Sequence, residues 1–379
     1  MFEKLKGFCD SFLDMGVPGF DLMVMKDGEC ILRHMGGYSR LENKTKIQGN
    51  EKYYVYSCSK PITCTAALQL WERGLFSLDD EVGKYLPEFY DITVIGSNGP
   101  EKAKKPILVR HLFEMGVGYS YDIGTPNIWQ AKTDLAGKFY VRDFMRYLVR
   151  DPIWFEPGEG WMYGLCHDIL AALVEVVSGQ SFEDYVQENI FRPLGMTDST
   201  FMHPYNEADT LCGQYIWDAE TKTAKPVYHN WCIIGEGYAC GGGGCVSTVE
   251  DYMKFLEALR KGDIILKKST IDLMATDRLT EKQRSMYDSD THGYGLGIRT
   301  PKKDGIHNDI GWGGAAGAYL AIDRERGISI YYAQHMQCSP NQALRSLIYD
   351  YVVAELYGDE RFIRNIEQTR NTEDYHYTY

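Results

Sequence analysis

The chain has 379 residues, 44% of them hydrophobic, which is enough for one large domain or two around a substantial core. With 53 acidic against 40 basic residues the formal charge is -13, which argues against a nucleic-acid backbone or an anionic membrane surface as partner. The N-terminal stretch has no apolar run of signal-peptide length and no segment approaches the length of a membrane span, so a cytoplasmic protein is expected.

Ten cysteines occur singly, without CxxC spacing, which reads as reduced thiols and argues against a structural zinc site. The nine histidines are dispersed and none has HExxH spacing, so no metal or organic cofactor is implied.

In chain order, residues 2–15 read as an amphipathic helix with Phe2, Leu5, Phe8, Phe12 and Met15 on one side. Residues 19–40 alternate in hydrophobicity and carry Asp27-Gly28 between two apolar runs, a strong hairpin signal. Next comes YSCSK, in which Ser57 and Lys60 form the sole SxxK pair of the chain. Residues three apart share a helical face, so a Lys60 amine beside the Ser57 hydroxyl lowers the cost of ionising it. Pro61 is tolerated only in the first turn of a helix, which puts Ser57 at the helix tip, where unpaired N–H groups favour developing negative charge. The apolar run after Pro61 implies a buried helix that holds the serine rigidly. About one such pair is expected by chance in a chain of this length, so the motif needs partners elsewhere. Cys58 adjoins the serine, but no His/Asp partner for a cysteine nucleophile is indicated.

From about 62 to 235 the patterns are mostly helical, including EVGKYLPEF, VRHLFEM, VRDFMRYLV, DILAALVEVVSG and FEDYVQENIF. GYACGGGGC at 237–245 is glycine-rich but is not followed by Lys-Ser/Thr, which rejects a phosphate loop. Strands follow at 294–300, 307–314 and 318–335, then a helical stretch over 341–357. The arrangement expected is α+β: one catalytic domain over 1–379, with an antiparallel sheet from about 1–61 and 236–379 covered by terminal helices, and a mostly helical region over about 62–235 inserted in it.

A serine beside a lysine still needs a proton shuttle and an oxyanion hole. The segment FEPGEGWMYGLCHDIL presents Tyr163 in a turn set by Pro157, Gly158 and Gly160, and IGWGGAAGAYL presents Trp312, Gly313 and Gly314 on a strand. With SxxK first, a tyrosine motif second and a glycine-containing strand motif near the C-terminus, the chain resembles the serine β-lactamase and penicillin-binding-protein superfamily. Within it, the class C β-lactamase-like esterases, or family VIII carboxylesterases, are the nearest pattern. VRHLFEMGVGYSY, FEPGEGWMYG, the run from Ser178 to Phe201 and GGGGCVSTVEDYMKFLEAL add to the resemblance, which spans nearly the whole chain.

The resemblance implies that Ser57 is the acylated nucleophile, that Lys60 exchanges a proton with its hydroxyl, and that Tyr163 relays the proton to the leaving group and helps activate water. It implies an oxyanion hole from the backbone N–H groups of Ser57 and Ala315. Free tyrosine and lysine both titrate near about 10, so neither is a good base at neutral pH unless its surroundings change it.

Two departures bear on substrate. Leu165 stands where β-lactamases of this type have the asparagine of Tyr-x-Asn, and Trp312 and Gly313 stand where they have the lysine and threonine of Lys-Thr-Gly. A tryptophan does not pair with a carboxylate, so the change points away from β-lactams and peptides ending in D-alanine. The Tyr-x-Leu pattern followed by Asp168 and the Trp-Gly-Gly motif resemble those of the family's esterases, which implies a small-molecule ester as substrate. Trp312, Gly313, Gly314, Leu165 and Tyr119 are thus expected to contact substrate. Tyr121, Trp129, Trp231 and Tyr238 add loop aromatics suited to an apolar pocket. Asp168 reads as a helix-start residue that offsets the helix dipole, and His167 as structural. A β-lactamase or D-alanyl peptidase, an acyltransferase working through the same acyl-enzyme, and a non-catalytic binding protein are the alternatives.

Overall fold

The computed structural model describes all residues except 136–138, 203–210, 228–233, 236, 288 and 372–379. The amphipathic start forms helix α1 (Glu3–Asp14), which buries Leu5, Phe8, Cys9 and Phe12. The alternating stretch forms an antiparallel hairpin, β1 (Gly19–Lys26) and β2 (Glu29–Arg40). It turns at Asp27 and Gly28, whose φ angles of 53° and 93° are those a two-residue hairpin turn of the right twist requires. A short β3 (Thr45–Lys46) extends the edge.

The C-terminal part supplies β4 (His292–Tyr294), β5 (Arg299–Pro301), β6 (Ile310–Gly313), β7 (Tyr319–Asp323) and β8 (Ile328–Gln334). The eight strands form one sheet in the order β4-β5-β6-β7-β8-β1-β2-β3, with antiparallel neighbours. The two chain ends therefore meet where β8 pairs with β1. The strand expected over 294–300 is instead two short strands with a reversal between them. Gly297, at φ 79°, passes so close to the helix behind it that a Cβ there would lie 2.1 Å from Cys64 Sγ.

Four helices frame the rest: α2 (Ser59–Glu72), α3 (Cys166–Ser178), α4 (Val249–Lys261) and α5 (Leu347–Tyr357). α2 is buried on every side from Ser59 to Leu70, the mark of a central helix. It packs on α3, and α4 packs on β8. This face of the sheet carries one core, including Leu320, Ile322 and Tyr331, while the opposite face buries Phe20, Leu22, Ile330 and Tyr332 against α1 and α5. α5 begins later than expected, after a 3-10 turn at Gln342–Leu344, and a further helix α6 (Glu360–Asn371) follows it.

The inserted region holds further helices at Val109–Phe113, Pro126–Asp134, Val141–Leu148 and Phe182–Val186. EVGKYLPEF is not an α-helix but two 3-10 turns, Val82–Lys84 and Pro87–Asp91, because Pro87 has no N–H to continue a helical ladder. Two small hairpins were not expected: Thr93–Gly96 with Gly99–Lys102, and Gln214–Asp218 with Thr223–Val227. The second is joined in parallel by Met336–Gln337. The nine described cysteines form no disulfide; Cys232 lies outside the described residues. Among the described residues no helix is long and apolar enough to cross a membrane.

Candidate active site

The chain enters the site from Tyr53–Tyr54, which pairs with Val246–Ser247. Tyr56–Cys58 then forms a 3-10 turn that runs into α2, so Ser57 stands two residues before the helix and Pro61 is its third residue. Ser57 and Lys60 meet as the spacing predicts, with Lys60 Nζ 3.2 Å from Ser57 Oγ. Lys60 is wholly buried. Its Nζ also donates to the Tyr121 hydroxyl and to the Gly242 carbonyl, both at 2.6 Å. Three oxygen atoms thus surround the Lys60 nitrogen.

The glycine-rich segment finds its reason here. A Cβ on Gly242 would lie 2.6 Å from the Tyr121 hydroxyl and 2.7 Å from Asp168 Oδ2, and one on Gly241 would lie 2.4 Å from the His167 carbonyl. The glycines let a backbone carbonyl reach a buried amine. Thr63 Oγ1, one turn along α2, fixes the same loop by donating to the Gly241 carbonyl at 2.7 Å.

Tyr163 is half-buried just before α3, and its ring centroid is 4.5 Å from Lys60 Nζ. Its hydroxyl accepts a hydrogen bond from Trp312 Nε1 at 3.1 Å. Rings of Tyr121, Trp161 and Trp312 surround it, with centroids 5.5, 6.1 and 5.6 Å away. Gly164 permits the crowding, since a Cβ there would be 1.9 Å from the Tyr119 carbonyl.

Trp312 and Gly313 end β6, and the chain turns tightly over Gly314 to Gly317, where the Gly317 N–H donates to the Gly314 carbonyl at 2.8 Å. A Cβ on Gly314 would sit 2.4 Å from the Val55 carbonyl, so this turn lies against the segment that leads to Ser57. Ser57, Tyr121, Tyr163, Gly313 and Ala315 are each partly exposed.

Other expected residues take different places. The tyrosine of GYSYD that touches Lys60 is Tyr121. Tyr119, expected to contact substrate, is packed in the core with its hydroxyl unpartnered, and burial pushes that hydroxyl well above its ordinary range. Leu165, also expected to contact substrate, is buried as the residue that opens α3. Tyr238 is buried and donates to Asp168 Oδ1 at 2.8 Å, Trp129 is exposed, and Trp231 lies outside the described residues.

Asp168 is in the first turn of α3 and wholly buried beneath Lys60; burial raises its pKa, opposed by the Tyr238 hydrogen bond. His167 is buried between Cys64 Sγ at 3.5 Å and the Phe113 carbonyl at 3.4 Å, and burial lowers its pKa to about 3.

A polarised serine, a buried amine and a phenol within one small volume can make, hold and break an acyl bond. The profile of the family described as Beta-lactamase matches residues 6–344. The chain belongs to the β-lactamase family. Within the family it is similar to the esterase EstB of Burkholderia gladioli, 26% identical over 354 residues that cover 85% of this chain and 87% of the relative. It is also similar to the acyltransferase calJ of Penicillium decumbens, 28% identical over 366 residues, 86% of each chain. Among solved structures, EstCE1, described as a hydrolase with promiscuous acyltransferase activity, superposes with a TM-score of 0.78 over 92% of this chain and 97% of its own, at 22% identity. The protein is thus an enzyme of the serine hydrolase and acyltransferase kind, built on the β-lactamase fold.

Proposed function

We propose that the enzyme cleaves small to medium carboxylic esters through an acyl-enzyme on Ser57. Ser57 Oγ attacks the ester carbonyl while its proton passes into the Lys60 and Tyr163 pair, and the N–H groups of Ser57 and Ala315 hold the oxyanion. The tetrahedral adduct collapses, the C–O bond to the alcohol breaks, and Tyr163 returns the proton to the departing oxygen. Water then attacks the acyl group with the same residues acting in reverse, releasing the acid and restoring the Ser57 hydroxyl.

The observation that carries the ester reading is the Trp312 to Tyr163 hydrogen bond of 3.1 Å. A neutral indole N–H serves the phenol, so a carboxylate on the substrate has no cation to meet at that position. An alcohol in place of water at the second step makes the same enzyme an acyltransferase, a reading favoured by the similarity to calJ.

The test is a paired assay of wild type and Ser57→Ala on p-nitrophenyl acetate and on a chromogenic cephalosporin. Wild type should turn over the ester faster, and the variant should lose about 10⁴-fold or more of that activity. A variant with full ester activity sinks the acyl-enzyme, and a wild type that prefers the cephalosporin sinks the role given to Trp312.

A further inference from the structure

Tyr56, the residue before the nucleophile, has a φ of 47°. That is the left-handed region, which suits glycine or asparagine and is an outlier for a bulky side chain. Such a conformation persists only where the surroundings over-determine it. The Ser57 N–H belongs to the peptide plane that follows Tyr56, so the Tyr56 backbone sets the direction of that donor.

What fixes Tyr56 is its side chain. The ring is buried, and its hydroxyl accepts from Gln337 Nε2 at 2.8 Å and donates to Gln214 Oε1 at 3.4 Å. Gln337 follows Met336, whose N–H donates to the Ala316 carbonyl at 3.0 Å. Ala316 adjoins Ala315, the other proposed donor. The phenol thereby ties the residue that orients the Ser57 amide to the strand that holds the turn at Ala315. The close approach of Gly314 to the Val55 carbonyl joins the same two segments at a second point.

We propose that Tyr56 is a positioning residue that fixes both donors of the oxyanion hole relative to each other, through its left-handed backbone and the Gln337 to Tyr56 hydrogen bond. The proposal rests on the Ser57 acyl-enzyme reading given above.

It is tested with Tyr56→Phe, Gln337→Leu and their double variant, with Ser57→Ala as control, by kcat and KM on p-nitrophenyl acetate and by inhibition with phenylboronic acid. The boronate forms a tetrahedral adduct on a serine oxygen and places an oxygen in the oxyanion hole. Removing one oxyanion donor outright costs about 10²–10³-fold, so displaced donors should cost about tenfold in kcat with KM nearly unchanged. The boronate inhibition constant should rise by the same factor as kcat falls. The double variant should be no worse than Tyr56→Phe, because that change already removes the Gln337 to Tyr56 bond that Gln337→Leu removes.

Unchanged kcat in both single variants, or a loss of kcat with boronate affinity intact, overturns the proposal. Should Tyr56→Phe fail to fold, Gln337→Leu, a change at a half-buried residue, decides alone. Full activity in Ser57→Ala removes the acyl-enzyme and the Tyr56 proposal with it. An inactive Ser57→Ala beside fully active Tyr56→Phe and Gln337→Leu removes the Tyr56 proposal only.

Discussion

Lys60→Met separates chemistry from folding at one position. Lys60 is wholly buried, and its amine is held by Ser57 Oγ, the Tyr121 hydroxyl and the Gly242 carbonyl at 3.2, 2.6 and 2.6 Å. Methionine is unbranched and of similar length, so it fills the space without a large cavity. The Gly242 carbonyl and Tyr121 hydroxyl lose this donor, at about 1–3 kcal/mol each. Removal of a buried polar nitrogen also removes its desolvation cost, which offsets that loss. The net change in stability should be within about 2 kcal/mol, and for a chain of this size the Tm should move by about 5 °C or less. Activity should behave differently, because a positioned acid/base group contributes about 10²–10⁴-fold. We expect kcat/KM on p-nitrophenyl acetate to fall about 10³-fold in a variant whose thermal melt stays cooperative. A folded Lys60→Met that keeps more than about a tenth of wild-type kcat/KM would refute the role given to the amine.

Three further outcomes follow from the same geometry. Trp312→Phe keeps the aromatic packing but removes the N–H that reaches Tyr163, and a hydrogen bond of about 1.4 kcal/mol corresponds to about tenfold in kcat with KM little changed; an unaltered kcat would show that the bond does not serve the chemistry. Gly242→Ala drives a Cβ against the Tyr121 hydroxyl and Asp168. A displacement near 1 Å at a reacting group costs about 100-fold, so steady-state kinetics should show a loss of that order, and wild-type activity would mean the loop yields. Finally, burial lowers both His167 and His335 from 6.5 to about 3. The unfolded chain takes up their protons below about 6.5 and the folded protein does not, so their contribution to stability is full above that pH and lost as pH falls toward about 3. Urea unfolding should therefore be easier at about pH 5.5 than at about pH 7.5 by about 1.4 kcal/mol per buried histidine, and His167→Leu should flatten that slope; equal slopes would contradict it.

The parts of the site legible in the sequence are the local ones. Ser57 and Lys60 are related by one helical turn, and Pro61 fixes where that turn begins, so their contact needs no knowledge of the fold. Tyr163 was legible through the glycine and proline turn that carries it. The other two partners of Lys60 were not, because Tyr121 is 61 residues away and the Gly242 carbonyl 182 away. In the irregular stretch that holds Tyr119 and Tyr121 no hydrophobic period tells which ring turns inward, and Tyr119 took the core position. A backbone carbonyl leaves no mark in the sequence beyond the glycines that let it approach, and those four glycines read only as a loop. The sheet followed the same rule: the Asp27-Gly28 hairpin was evident, whereas the reversal at Gly297 depends on contact with Cys64 in a distant helix.

The central claim is a covalent bond between an acyl group and Ser57. It is tested most directly by rapid acid quench of the enzyme during turnover of a short-chain p-nitrophenyl ester, followed by peptide mass spectrometry. The account predicts that the peptide carrying Ser57 gains the mass of one acyl group, that fragmentation places it on Ser57 and not on Cys58, and that Ser57→Ala shows no such gain. An acyl group on any other residue, or turnover by an enzyme that is never acylated, would contradict it.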